Sequence, residues 1–160
     1  MATDEIVPIS IHTIPEIESS YSPPFDEEKL AYSRDIGMAL GTVAVGLHQE
    51  RLPPGRRTSF THAHSHEEEV IIVLSGQCFA RIVPREGEPY EIPLHPMTAV
   101  SFRPGTGVAQ TFVNRSAADC ILLVLGTRDA QDRVNYPEDS AYDAHLREAR
   151  PARHWRLEPI

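Results

Sequence analysis

The chain has few of the features that mark disulfide-bonded, membrane or nucleic-acid-binding proteins. It holds only two cysteines, Cys78 and Cys120, each beside apolar neighbours, and two buried thiols are expected rather than a disulfide. The longest apolar run, Cys120–Gly126, has the length of a strand and is too short for a membrane helix. The formal net charge of −8 argues against a nucleic-acid surface, which needs clustered cations. The acidic Met1–Glu5 opening does not look like a cleavable signal, so a cytoplasmic location is expected.

What is present fits one domain built from short elements. A length of 160 residues is enough for one core and too little for two. Hydrophobic residues make up 41% and charged residues 24%, which are ordinary values for a soluble globular protein. The 14 prolines and nine glycines favour strands joined by turns over long helices.

Short apolar or alternating segments at regular spacing predict an all-β sandwich or barrel. A short helix is expected over Asp26–Arg34 and a second one within Pro137–Arg150. We therefore expect an N-terminal strand and helix extension over residues 1–39, a barrel over 40–128, and a C-terminal helix and tail over 129–160. The expected strands are Ile6–Ile11, Gly41–Leu52, Thr58–His64, Val70–Leu74, Gln77–Val83, Tyr90–Leu94, Ala99–Phe102, Gln110–Asn114 and Cys120–Leu125.

The strongest functional signal is the segment HAHSHEEEVIIVLSG. His62 and His64 are two residues apart, so on a strand their side chains point to the same face. Glu69 can return to that face after a tight turn, and Val70–Leu74 then runs as a buried strand to Gly76. Two imidazoles and a carboxylate on one side can hold a divalent metal with open positions, as in facial non-haem iron sites. The competing interpretation is a surface hairpin that is merely rich in His and Glu.

These residues resemble the first motif of the cupin superfamily, in its small single-domain members. That motif has His-x-His, three or four residues, Glu, six residues and Gly, which His62, His64, Glu69 and Gly76 match. The second motif ends in glycine, two residues, histidine, three residues and asparagine. Here the spacing is kept, but Gln110 stands at the histidine position before Asn114, and the leading glycine of that motif is replaced by Ala99.

The resemblance implies a double-stranded β-helix, or jelly-roll barrel, with a cavity at one mouth. It also implies metal ligation by His62, His64 and Glu69, and by Gln110 through its position alone. A divalent iron, zinc, nickel or manganese ion is expected as the cofactor. Gln110 could ligate the metal, hydrogen-bond a substrate oxygen, or mark a site that no longer binds metal.

Several further side chains are candidates for the chemistry. Glu69 or His66 could move a proton, although His66 lies in the turn and could instead face solvent. Substrate contacts are expected from four residues, each of which could equally have a structural role: His48, Phe60, Arg81 and Phe112.

The function expected from this resemblance is a metal-dependent enzyme on a small oxygenated organic substrate, with dioxygenase-like chemistry. A non-redox isomerase, cyclase or lyase acting on a polyketide- or sugar-type substrate is the alternative, as is a cupin that binds a small molecule without turnover. No nucleic-acid or membrane partner is expected. A homodimer is expected, for which the edge strand Ile6–Ile11 is a candidate contact.

Overall fold

Antiparallel strands dominate residues 6–158, the part of the chain that the computed structural model describes. The helices are α1 (Ile36–Leu40) and α2 (Ser140–Ala149), with single 3-10 turns at Ile11–Thr13 and Pro151–Arg153. The strands are β1 (Ile17–Glu18), β2 (Tyr32–Asp35), β3 (Val45–Leu52), β4 (Ala63–His64), β5 (Glu69–Ser75), β6 (Cys78–Val83), β7 (Tyr90–Leu94), β8 (Ala99–Phe102), β9 (Ala109–Val113), β10 (Cys120–Thr127) and β11 (Val134–Asn135).

Two sheets pack face to face, as in a jelly roll. One sheet has six strands in the order β1-β2-β3-β10-β5-β8, and the other has three in the order β7-β6-β9. A small third sheet pairs β11 with β4. The expected all-β barrel is therefore confirmed, and its strands from β3 to β10 overlap the predicted segments, although only Ala63–His64 of the expected strand Thr58–His64 is formed.

The core lies between the two sheets and is filled by one side of each strand. In β6 buried residues alternate with partly exposed ones, so that Cys78, Ala80 and Ile82 point inward. They meet Leu122 of β10 and Val73 of β5, both fully buried, from the opposite sheet. Cys78 and Cys120 are free buried thiols, which agrees with the sequence-based expectation.

The N-terminal part differs from the prediction. Ile6–Ile11 forms no strand, and Ile6 is 95% exposed, so its side chain has no sheet face to cover. Residues 26–31 form turns and irregular backbone, and the helix instead begins after Asp35, whose carboxylate accepts a hydrogen bond from the Met38 N–H at 2.8 Å. The strand proposed for subunit pairing is thus absent, and the homodimer stays a prediction. The acidic residues 1–5 lie outside the described residues, as do 159–160.

The C-terminal part returns to the barrel. The helix expected within Pro137–Arg150 is present as α2. Before it, β11 pairs with β4, so that Val134 lies opposite His64 and Asn135 opposite Ala63. The segment after the barrel therefore contacts the strand that carries one of the predicted ligands. Among residues 6–158, no helix is long and apolar enough to cross a membrane.

Gly76, the glycine that ends the first motif, is required by both its backbone and its surroundings. Its φ of +76° is in the left-handed region. A Cβ built on it would meet the Asp119 carbonyl oxygen and come within 2.8 Å of the Cys120 Cα. Gly55 has a similar φ of +77° but nothing within 4 Å of such a Cβ.

Gly76→Ala is expected to destabilise the protein more than Gly55→Ala does. Both changes incur the left-handed cost of roughly 1–2 kcal/mol, and the clash at Gly76 adds roughly 1–3 kcal/mol. The free energy of unfolding, measured by urea denaturation, separates the two. Equal losses would mean that crowding at Gly76 is relieved without cost.

Candidate functional site

The three predicted metal ligands converge at one point of the barrel interior. His62 is tied to β9 by a reciprocal pair of backbone hydrogen bonds with Gln110, at 3.1 and 2.9 Å. His64 ends β4 and Glu69 begins β5 after the intervening turn. The His62 Nε2 atom lies 3.9 Å from Glu69 Oε2, and the His64 Nε2 atom lies 3.9 Å from Glu69 Oε1. Local strand geometry therefore brings two imidazoles and one carboxylate together.

The imidazole of His62 is held with its Nε2 lone pair facing the site. Its Nδ1 lies 2.8 Å from the Phe60 carbonyl oxygen, which can only accept, so the Nδ1 proton is donated there. Nε2 then carries the lone pair that a metal needs. Burial lowers the pKa of His62, which keeps the ring neutral.

The imidazole of His64 is held the same way by a carboxylate. Its Nδ1 lies 2.7 Å from Asp132 Oδ2. Asp132 is fully buried and also accepts hydrogen bonds from the backbone N–H groups of His66 and Glu67 at 2.9 and 3.1 Å. Although burial raises the pKa of Asp132, these donors outweigh it and lower the pKa to about 2. An ionised Asp132 fixes the Nδ1–H tautomer and leaves Nε2 toward the site.

Gln110 lies beside Glu69 and is 2% exposed. Its Nε2 donates a hydrogen bond to Glu69 Oε2 at 2.6 Å. Its Oε1 is buried and has no hydrogen-bond partner among the described residues. Gln110, which stands at the histidine position of the second motif, thus orients the Glu69 carboxylate and keeps one acceptor atom without a partner among the described residues.

The donor set fits a divalent metal. Metal bonds of about 2.1 Å allow two ligand atoms to lie up to roughly 4.2 Å apart, and the closest His–Glu69 separations are 3.9 Å. The ligand atoms of His62, His64 and Glu69 all lie within 4.8 Å of one another. Two neutral nitrogens and one carboxylate suit iron, zinc, nickel or manganese.

A cavity of about 90 Å³ opens beside this cluster. It contains a second carboxyl group, from Glu50 on β3, in addition to that of Glu69. Burial raises the pKa of Glu50 to about 8, and the charge of Glu69 adds to the effect. The cavity is lined by Glu50, Thr58, Ser59, His62, Glu69, Ile71, Gln110, Phe112 and Val124.

The other predicted site residues are distributed differently. Phe112 lines the cavity. His48 shares strand parity with Glu50 but does not line it, and its Nδ1 lies 3.4 Å from Ser33 Oγ. His66 is exposed in the turn, with its Nδ1 2.8 Å from Ser65 Oγ, and is not one of the convergent ligands.

Phe60 and Arg81 lie away from the cavity, which corrects the expectation that they face it. Phe60 stacks on Tyr21 with ring centroids 3.9 Å apart, in an aromatic cluster outside the barrel interior. Arg81 is on the face of β6 opposite to the buried Ala80 and Ile82, and its guanidinium binds Glu138. A surface ion pair, not an inward position, explains this arginine.

Sequence reasoning missed Glu50 and Asp132. Glu50 had a detectable signal, because it lies two residues from His48 on the same strand and so shares its face. Asp132 had none, because it is 68 residues from His64 in the chain and beyond the barrel.

Comparison with known proteins agrees with this fold. A cupin domain family model matches residues 48–126. The structure is similar to a cupin-superfamily sugar phosphate isomerase from Silicibacter pomeroyi, with 27% identity, 82% of each chain covered and a TM-score of 0.71. It is also similar to a proposed sugar phosphate isomerase from Acidithiobacillus ferrooxidans, with 31% identity over 68% of this chain and 66% of that chain and a TM-score of 0.60.

The chain belongs to the cupin superfamily. A predicted oxalate decarboxylase from Thermotoga maritima covers 76% of this cupin and 98% of its own chain at 16% identity and a TM-score of 0.58, which shows the shared fold alone. No curated protein sequence matches the chain. The family model ends at residue 126, so Asp132 lies outside the matched part of this cupin.

Asp132→Asn is expected to weaken divalent-metal binding by this cupin by about 10- to 100-fold, because His64 loses the partner that fixes its tautomer. Titration calorimetry with zinc measures the change. Asp129→Asn is the matched control, since Asp129 is exposed and, among the described residues, its carboxylate bonds only to the Gln131 N–H. Equal zinc affinity in both variants would contradict a role for Asp132 in orienting His64.

As the pH rises, the free energy of unfolding of the metal-free wild-type protein is expected to fall relative to that of Glu50→Gln. The pKa of Glu50 is about 8 when folded and 4.5 by reference, so the folded state keeps a proton that the unfolded chain releases. Its contribution is fully present below pH 4.5 and is lost progressively up to about pH 8. Urea unfolding of both proteins in chelator measures this difference. A difference that is independent of pH would show that Glu50 titrates normally.

Proposed function

We propose that this cupin is a metal-dependent enzyme that acts on a small oxygenated organic substrate. One observation carries the proposal: the Nε2 atoms of two histidines lie 3.9 Å from oxygens of one carboxylate, and each Nδ1 is already engaged elsewhere. A hairpin that was merely rich in His and Glu would not need a buried carboxylate and a backbone carbonyl to fix both rings. The lining of the adjacent cavity supports a small ligand rather than a macromolecule.

His62, His64 and Glu69 would hold the ion, with Gln110 orienting Glu69 through its amide. When bound, the ion would act as a Lewis acid that polarises a carbonyl or enol oxygen. The unused Oε1 of Gln110 can accept a hydrogen bond from a substrate hydroxyl. Phe112 and Val124 keep part of the cavity apolar, which limits the access of water to the reacting group.

Non-redox isomerisation is the favoured reaction class. The two relatives with the highest sequence identity among those compared above are described as sugar phosphate isomerases. The cavity contains a carboxyl group that is not among the convergent ligands, as a reaction that moves protons requires. A cyclase or lyase that uses the same Lewis-acid chemistry is the closest variant of this proposal.

A dioxygenase is the second candidate. The observation that favours it is the ligand set of two histidines and one carboxylate, which is typical of non-haem iron oxygenases with open positions. The two classes differ in the ion that they require, so the identity of the metal separates them.

The protein purified without added metal is expected to contain close to one divalent ion per chain, measured by mass spectrometry. The double variant His62→Ala/His64→Ala is expected to lose it, because only one strong ligand remains. His12→Ala/His95→Ala also removes two histidines, both exposed, and is expected to keep the ion.

Each metal outcome has a separate meaning. Zinc, nickel or manganese would support isomerisation, whereas iron would support the dioxygenase. Absence of any ion, even after reconstitution, would contradict the enzyme proposal and leave a protein that binds a small molecule without metal.

A further inference from the structure

Glu50 occupies a position where an apolar side chain is expected. It lies on β3 within the six-stranded sheet, opposite Leu122 of β10. Residues directly opposite each other in an antiparallel pair project to the same face, and Leu122 is fully buried in the core. The Glu50 side chain therefore points into the barrel, where it lines the cavity.

No structural partner accounts for a carboxyl group there. Its Oε2 is buried and has no hydrogen-bond partner among the described residues. The neighbouring Arg51 points to the other face and binds Glu16 at 2.8 Å. Asp132, the other buried acid near the site, has several donors instead. Because an unpaired buried carboxyl is costly, this one is better explained by function than by stability.

The position of Glu50 relative to the ligands is suited to a substrate between them. Glu50 lines the same cavity as His62 and Glu69. Its oxygens are not part of the group of ligand atoms that lie within 4.8 Å of one another. A molecule held at the three ligands therefore has Glu50 beside it as a separate carboxyl group. The cavity lining contains two carboxyl groups and no lysine or arginine, so its side chains offer no cation to a charged group of that molecule.

We propose that Glu50 is the catalytic residue that transfers a proton between adjacent carbons of a small 2-hydroxy aldehyde or ketone, an assignment that rests on the metal-dependent function proposed above. In its ionised form, the Glu50 carboxylate takes the proton from the carbon that bears the hydroxyl. The C–H electron pair forms the C=C bond of an enediolate, and the electron pair of the C=O π bond places the negative charge on the former carbonyl oxygen. The Glu50 carboxyl then returns the proton to the former carbonyl carbon. The hydroxyl proton passes to the other oxygen, so the product is the isomer and no electrons leave the substrate.

The test measures the exchange of probe protons in deuterated water in the presence of the metal-loaded protein. NMR monitors this exchange. The probes are glyceraldehyde, dihydroxyacetone, glucose and fructose, each also offered as its phosphate ester. Wild type is expected to introduce deuterium next to the carbonyl of at least one probe. Glu50→Gln is expected to lower that rate about 100-fold or more while it keeps its full metal content and folded state. Glu88→Gln makes the same chemical change at an exposed position and is expected to match wild type.

Each other result overturns the assignment. Equal exchange by wild type and Glu50→Gln would show that Glu50 moves no proton. A Glu50→Gln protein that loses its metal or its fold would make Glu50 structural. If wild type is fully loaded with metal yet exchanges no proton of any probe, the proposed reaction is contradicted while the metal site is retained. Failure of the proposed function itself is distinguished by metal analysis, because in that case wild type binds no ion.

Discussion

The site depends on one electrostatic constraint, which is that two imidazoles must present lone pairs, not protons, to the same point. A free imidazole can place its proton on either nitrogen, so each ring needs a partner that accepts from Nδ1. His62 uses the carbonyl oxygen of Phe60 and His64 uses the carboxylate of Asp132. These two contacts decide that the cluster is a potential metal centre rather than a pair of hydrogen-bond donors beside Glu69.

The second of these contacts connects the segment after the barrel to the site. Asp132 is positioned by its bonds to the backbone of the ligand-bearing turn and by the pairing of β11 with β4. Further along, Glu138 accepts from the Thr61 hydroxyl at 2.7 Å, and Asp139 binds Arg57 at 2.9 Å. The C-terminal segment is therefore part of the site. If the C-terminal segment lost its packing, the His64 ring would be released as well as the surface helix α2.

The sequence predicted the barrel and the convergence of His62, His64 and Glu69 because both are encoded locally. Alternation along a strand places His62 and His64 on one face, and motif spacing adds Glu69. Alternation along a strand does not say which face of the sheet points inward. The expected inward position of Arg81 was wrong, because the small residues Ala80 and Cys78 of β6 face the core. Phe60 precedes β4 in irregular backbone, where alternation does not apply. Asp132 depends on a tertiary contact that no local pattern encodes.

The roles of Gln110 and Glu50 in the site are connected. A histidine at position 110 would add a fourth strong ligand, whereas Gln110 donates its amide to Glu69 and leaves the number of strong ligands at three. Fewer strong ligands leave more positions for a substrate with two adjacent oxygens. A substrate in those positions would lie beside Glu50, whose Oε2 has no other partner. The glutamine substitution and the unpaired glutamate are thus two parts of one arrangement, in which the first makes room for the molecule that the second contacts.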